Sequence, residues 1–170
     1  MKIQYLLIGL VSLLMINPAA AQDKSERKSP PATVTEQIGE ATITIDYSQP
    51  SMRGREIFGG LVPFEKIWRT GANEATTFET DKEIGVNGEM LPAGKYALFT
   101  IPGEKEWVLI FNSVSEQWGA YNYDESKDVL RVKAKAKQHE ETEQMTISIE
   151  EEGLIHLDWA ETRVTLNIKA

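Results

Sequence analysis

The sequence contains no cysteine, and histidine occurs only at His139 and His156. The first absence excludes disulfide bonds, a thiol nucleophile and a zinc–thiolate site. The two histidines do not form a His-Glu-x-x-His pair, and there is no Gly-x-Ser-x-Gly motif and no Gly-Lys-Ser/Thr phosphate loop. The familiar routes to acyl transfer and phosphoryl transfer are therefore not indicated.

Basic residues are outnumbered in this chain. There are 18 Lys and Arg residues against 26 Asp and Glu residues, which gives a formal net charge of −8. Nucleic acids and anionic membrane surfaces attract basic proteins and repel acidic ones. We therefore expect no nucleic-acid partner.

The only long apolar run covers residues 3–16. It follows a positive start at Met1-Lys2 and precedes Asn17-Pro18 and three alanines that end at Ala21. This is the layout of a secretory signal peptide, and the run is shorter than the roughly 20 residues needed to span a bilayer. We predict a cleaved signal peptide at residues 1–21, no membrane insertion after cleavage, and a periplasmic or extracellular location.

The next ten residues, 22–31, read QDKSERKSPP. A segment this polar and charged buries little apolar area, so we interpret it as a disordered tether. Residues 32–170 form a segment of the length of one ordinary domain. We therefore predict a single β domain over residues 32–170.

Period-two patterns dominate this domain, and no segment shows a helical stripe. In residues 41–47, Ile43, Ile45 and Tyr47 share one face, while Asn87-Gly88 is a strong hairpin signal. Residues 95–101 and 107–111 are apolar on both faces, which predicts central strands. In the C-terminal part, alternation of apolar and polar residues predicts a four-strand meander at residues 128–138, 144–151, 154–159 and 162–169.

Together these patterns predict an all-β fold. About nine or ten short strands in one domain are typical of an antiparallel β-sandwich or a jelly-roll-like barrel. Residues 51–64 interrupt the pattern with arginines, glycines and a proline but also carry apolar side chains. We interpret this long connection as an ordered loop that wraps the sheet.

The segment from Trp68 to Thr76, WRTGANEAT, carries the richest mixture of polar chemistry. Arg69 offers a planar fork of donors, Trp68 a flat apolar platform, and Glu74 an acceptor or an acid–base group. A structural role is the competing interpretation, with the Arg–Glu pair holding a loop and the indole filling the core. The candidate ligand-binding residues are Arg53, Arg55, Trp68, Arg69, Asn73, Glu74, Trp118 and Tyr123.

A second polar region offers a weak metal candidate. Oxygen-bearing side chains recur at every second position, as in the first half of a calcium loop, at Asn122, Asp124, Ser126 and Asp128. Lys127 stands where a calcium loop has glycine, and the closing glutamate is missing. We expect no cofactor, with calcium as the alternative and an acidic turn as the simpler interpretation.

Four motifs in the domain resemble one known family. They are FGGLVP at residues 58–63, WRTGANEAT at 68–76, LPAGKYALFTIP at 91–102 and WGAY at 118–121. The chain resembles the DUF2911 family of exported proteins, found largely in Bacteroidota. The resemblance extends from about Lys28 to Ile168 and implies a Gram-negative envelope or extracellular setting. It implies no established activity, so no catalytic residue is transferred.

Three functional hypotheses follow. The first is a non-catalytic β-sandwich that binds a small polar ligand, such as a glycan or a peptide end. The second is a hydrolase or lyase in which Glu74 acts as acid or base with Asp124 as partner, which requires the two carboxylates to share one cleft. The third is a structural or accessory module of an envelope complex, which an exposed apolar patch would favour.

Overall fold

The computed structural model describes residues 26–170. The predicted signal peptide and residues 22–25 of the predicted tether lie outside the described residues. Within the described range, no helix combines the length and apolar character that crossing a membrane requires.

Nine strands form one antiparallel sheet in the order β1-β2-β3-β6-β7-β8-β9-β4-β5. This confirms the all-β, antiparallel fold class. The strands are β1 (Pro31–Ile38), β2 (Ala41–Ser48), β3 (Thr76–Thr80), β4 (Ile84–Val86), β5 (Glu89–Leu91), β6 (Gly94–Ile101), β7 (Glu106–Asn112), β8 (Asp128–Ile149) and β9 (Leu154–Lys169). A single turn of 3-10 helix at Glu125–Lys127 precedes β8.

The two strands predicted to be central, at residues 95–101 and 107–111, correspond to β6 and β7, and both are central in the sheet. β6 lies between β3 and β7, and β7 lies between β6 and β8. Consecutive residues on both faces of these strands are buried, including Phe99 and Ile110. A strand covered on both faces gains no benefit from alternation, which explains the continuous apolar runs.

The hairpin predicted at Asn87-Gly88 also forms. Both residues have positive φ angles, 49° and 95°, as the two-residue turns that match the twist of a hairpin require. The turn joins β4 to β5, and β4 also pairs with the end of β9.

The predicted C-terminal meander is wrong in its strand count. Two long strands, β8 and β9, replace four short ones, and the turns predicted at residues 139–142 and 160–161 lie within them. The pairing register shifts between Gln138 and Thr142 and again between Thr142 and Thr146. Bulges insert unpaired residues without ending a strand, so a break in alternation does not require a turn. The structure also adds β1, for which the sequence analysis predicts no strand.

The curvature of the sheet brings distant strands together around the core. The Tyr47 hydroxyl on β2 accepts a hydrogen bond from the Ile147 amide on β8 at 2.9 Å, although three strands lie between them in the sheet order. Trp107 and Trp159 are almost fully buried at one end of this core. Loop residues 51–75 cover that end, and they include most of the candidate site.

Candidate functional site

The WRTGANEAT segment forms a closed loop beside β3 and β6. Trp68 and Thr100 exchange two backbone hydrogen bonds, at 2.7 and 2.9 Å. The Thr76 amide donates to the Arg69 carbonyl at 3.1 Å, and its hydroxyl donates to the Thr70 carbonyl at 2.7 Å. Both ends of the loop are thus fixed to the sheet, which holds its central residues in place.

Trp68 belongs to the core. Its indole is 7% exposed and stacks on Trp159, with ring centres 5.8 Å apart. Phe58 packs edge-on against it at 6.0 Å. The indole N–H donates to the Gly71 carbonyl at 3.1 Å, so Trp68 closes the loop from inside. These contacts are those of the structural role that the sequence analysis weighed for this residue.

Gly71 is required by a close approach of two backbones. A Cβ atom at this position would lie 3.0 Å from the Ser48 carbonyl oxygen and 3.2 Å from the Thr76 hydroxyl. Asn73 follows with a φ angle of 59°, a conformation that asparagine tolerates better than most residues. Arg69 and Glu74, on either side of these two residues, lie in different surroundings.

Arg69 lines a groove of about 490 Å³ that we call the Arg69 groove. Burial lowers the pKa of its guanidinium, and its Nε is buried without a hydrogen-bond partner. Arg55 and Lys66 also line the groove, and none of the lining residues that the structure describes is Asp or Glu. Apolar walls come from Leu61, Val62, Pro63, Ile67, Trp68 and Trp159. The groove therefore combines positive charge with an apolar floor.

Glu74 lines a different and larger groove, of about 650 Å³, that we call the Trp118 groove. Its carboxylate forms an ion pair with Arg27 at 2.6 Å. The Trp118 ring is 57% exposed, and the Arg27 guanidinium carbon lies 5.9 Å from its centre. Asp46 and Glu116 also line this groove. With the cations Arg27 and Lys95 the described lining has a net charge of −1, opposite in sign to that of the Arg69 groove.

Residues 26–30, which we call the N-terminal strap, touch both grooves. Arg27 lines the Trp118 groove and Ser29 lines the Arg69 groove. The Arg53 guanidinium donates to the Lys28 carbonyl at 3.0 Å, and the side-chain amide of Asn73 donates to the Ser29 carbonyl at 3.2 Å. Arg53 lines neither groove, so its guanidinium serves to hold the strap.

Tyr123 lies apart from both grooves. Its hydroxyl donates to Asp128 at 2.6 Å and accepts from Arg131 at 2.7 Å, and its ring packs edge-on against Phe99. Burial, together with the bond to Asp128, raises the pKa of Tyr123 to about 12. The structure does not bring this candidate together with Trp118.

The four residues with calcium-loop spacing take part in local hydrogen bonds. Asp124 caps the 3-10 turn by accepting from Ser126, which lowers the pKa of its carboxyl. Asp128 accepts from Asn112, Tyr123 and Arg131, and Asn122 is exposed. Across residues 26–170, no group of three or more His, Asp or Glu side chains is arranged to hold a metal ion. The expectation of no cofactor stays a prediction, with calcium as its alternative.

Several residues that line the grooves could not be identified from the sequence. The composition of residues 22–31 places Arg27 in the tether, and its partner Glu74 is 47 residues away, so no local pattern could reveal the pair. Lys66 and Glu116 each stand two residues before a candidate tryptophan, but neither they nor Asp46 belong to a recognisable motif. Asp124, proposed as the carboxylate partner of Glu74, does not line the Trp118 groove, whereas Asp46 and Glu116 do.

Comparison with known proteins gives one match. The profile of a family described as "Protein of unknown function (DUF2911)" matches residues 29–168, which include all nine strands except the last residue of β9 and every lining residue of the Arg69 groove, but not Arg27. No curated protein and no solved structure matches the chain. The chain belongs to the DUF2911 family.

Proposed function

We propose that this chain is an exported, non-catalytic binding protein that takes a small carboxylate-bearing ligand in the Arg69 groove. One observation carries the proposal. Among residues 26–170, Arg69 has a buried Nε without a hydrogen-bond partner, and the groove that it lines contains Arg55 and Lys66 but no acidic residue. In a chain with net charge −8, such a local surplus of cations favours an anionic ligand.

The energetics of Arg69 support the same conclusion. Leaving a buried N–H without an acceptor costs about 1–3 kcal/mol, and more when the group is charged. A ligand carboxylate in the groove would form a charge-assisted pair with the Arg69 guanidinium, whose burial already weakens its hydration. Arg55 is already fixed by bonds to the Met52 and Ser51 carbonyls, at 2.8 and 2.7 Å, so it adds charge without needing to be ordered.

The walls of the groove indicate what accompanies the carboxylate. Leu61 is exposed and Val62 is buried beside it, and both line the groove with Ile67. The cavity volume falls in the range of small-molecule sites, which are mostly apolar with a few polar anchors. The free C-terminus of a short apolar peptide fits this combination better than a fully hydroxylated neutral sugar.

The test compares a short acetylated apolar peptide that has a free C-terminus with its C-terminal amide, by isothermal titration calorimetry. We expect the acid to bind and the amide to bind at least about tenfold more weakly, because a hydrogen bond to a charged group contributes about 1.5–3 kcal/mol. Arg69→Gln should weaken binding of the acid by a similar factor. Lys135→Gln, which removes an exposed cation on β8 outside the groove, is the charge-matched control.

Thermal unfolding separates binding from scaffolding. Because Arg69 Nε makes no hydrogen bond, Arg69→Gln should fold with a melting temperature close to that of the wild type. Equal affinity for acid and amide, unchanged affinity in Arg69→Gln, or a large loss of stability in that variant would each contradict the proposal.

The hydrolase or lyase alternative gains no separate support. Glu74 is paired with Arg27, and Asp124 caps the 3-10 turn outside the groove that Glu74 lines.

A further inference from the structure

We propose that the Trp118 groove is a second binding site, specific for the guanidinium group of an arginine-containing peptide. The observation behind it is that Arg27 of the N-terminal strap already occupies this position. Its Nη1 lies 2.6 Å from Glu74 Oε2, its guanidinium faces the Trp118 ring at 5.9 Å, and its side chain is only 16% exposed. Arg27 acts there as an internal ligand.

A carboxylate beside an aromatic face is a general means of binding a guanidinium group. The carboxylate accepts charge-assisted hydrogen bonds, and the π-face attracts the delocalised cation. Both parts are exposed here to an extent that folding alone does not require. Trp118 is 57% exposed, whereas the other three tryptophans, Trp68, Trp107 and Trp159, are buried in the core.

The two side chains are held in a fixed relation by the backbone. Glu74 and Trp118 form an isolated antiparallel bridge. The flanking Ala75 amide donates to the Gln117 carbonyl at 2.9 Å, and the Gly119 amide donates to the Asn73 carbonyl at 3.1 Å. Side chains opposite each other across such a pair project to the same face, so the site is formed without Arg27.

The groove has room and charge for more than the Arg27 side chain. About 650 Å³ remains open with Arg27 in place. Asp46 and Glu116 add two carboxylates, and Lys95, the other cation in the lining, lies 3.8 Å from Glu79. When the arginine of a peptide replaces Arg27, the residues beside that arginine can pair with these carboxylates. A free guanidinium ion has no neighbouring residues and would not use them.

Arg27 can leave without releasing the strap. The strap is also held through its backbone carbonyls, which accept from Arg53, Asn73 and the Gln49 amide. None of these bonds uses the Arg27 side chain. Displacement of that side chain therefore exchanges one guanidinium for another, and the internal competitor lowers the apparent affinity for an external arginine.

The test follows N-acetyl-arginine amide by nitrogen-edited NMR titration, with the Ala75 and Gly119 amides as reporters. Arg27→Ala should bind this probe roughly threefold or more tightly than the wild type, because the competitor is removed. The neutral isostere N-acetyl-citrulline amide should not bind. Lys28→Ala, which removes the neighbouring cation, is the control and should match the wild type.

Two further variants locate the site. In the Arg27→Ala background, Glu74→Gln and Trp118→Ala should each weaken arginine binding by about tenfold, whereas Arg69→Gln should leave it unchanged. Absence of binding to Arg27→Ala, equal binding of the citrulline probe, or no effect of either site variant would overturn the proposal. The Arg69→Gln control concerns the Arg69 groove. Failure of arginine binding in the Trp118 groove is therefore distinguishable from failure of peptide-acid binding in the Arg69 groove.

Discussion

Trp68 and Arg69 are neighbours in the chain, yet their polar atoms have opposite relations to the fold. The Trp68 indole N–H is satisfied by the Gly71 carbonyl within the loop, and its ring is part of the core. The Arg69 Nε is equally buried but has no acceptor. Buried polar groups without partners are rare in folded proteins. The Arg69 Nε therefore marks Arg69 as a candidate ligand-binding residue, whereas Trp68 in the same motif is a structural residue.

Tyr123 gives a pH-dependent prediction at the scale of one residue. Burial and the bond to Asp128 raise its pKa from 10 to about 12, so the folded state favours the protonated phenol. Its contribution to stability is fully present below about pH 10 and is lost as the pH rises toward 12. We expect Tyr123→Phe to lose less stability than the wild type over this range, measured by urea unfolding at successive pH values.

Both proteins should lose stability in this range, because both retain Tyr47 and Tyr96, whose pKa values burial also raises. The difference in slope between the two curves is the contribution of Tyr123. Parallel curves for the two proteins between pH 10 and 12 would show that Tyr123 is not coupled to folding in this way.

Residue types could be predicted from the sequence, but side-chain directions could not. Arg55, Trp68, Arg69 and Asn73 share one groove, as their polar and aromatic character suggested. Glu74 lines the other groove directly after Asn73, which has a positive φ angle, and composition alone does not contain that information.

At the scale of elements, continuous apolar runs predicted β6 and β7, which are buried on both faces, and alternation predicted β2, which has one buried face. It failed for β8 and β9, where the sequence analysis read breaks in the pattern as turns. The bulges between Gln138 and Thr146 displace the alternation while the strand continues, so a local pattern cannot distinguish a bulge from a turn.

The turn between β8 and β9 depends on Gly153. Its φ angle is +87°, and an added Cβ would collide with the backbone carbonyl of Ile168, whose amide donates to the Gly153 carbonyl at 2.7 Å. We expect Gly153→Ala to lower the free energy of unfolding by about 2 kcal/mol or more, since backbone strain and a collision with main chain add. Denaturant unfolding monitored by circular dichroism measures this.

Gly88 is the matched control, because its φ angle of +95° is similar but an added Cβ would meet nothing within 4 Å. Gly88→Ala should therefore cost only the conformational penalty, about 1 kcal/mol. A loss of stability in Gly88→Ala as large as that in Gly153→Ala would mean that the Ile168 carbonyl adjusts without cost.

At the scale of the whole molecule, the sequence predicts the class of the sheet but not its order. Adjacent strands in the chain pair through turns that leave signals, such as Asn87-Gly88. The contact between Tyr47 and Ile147 spans 100 residues and leaves none. Loop residues 51–75 pack on the core through Phe58 and Trp68, and the strap lines both grooves, whose net charges are opposite in sign.

Tyr47 links distant strands, and its removal tests how much this link contributes to the fold. Tyr47→Phe keeps the ring but leaves the buried Ile147 amide, now 2.9 Å from the hydroxyl, without that acceptor. We expect a loss of about 1–3 kcal/mol in the free energy of unfolding, measured by chemical denaturation, because a buried donor then lacks a partner. Tyr121→Phe is the control, since Tyr121 is 84% exposed. Equal unfolding free energies for the two variants would show that the sheet holds its curvature through side-chain packing alone, with no contribution from the bond between β2 and β8.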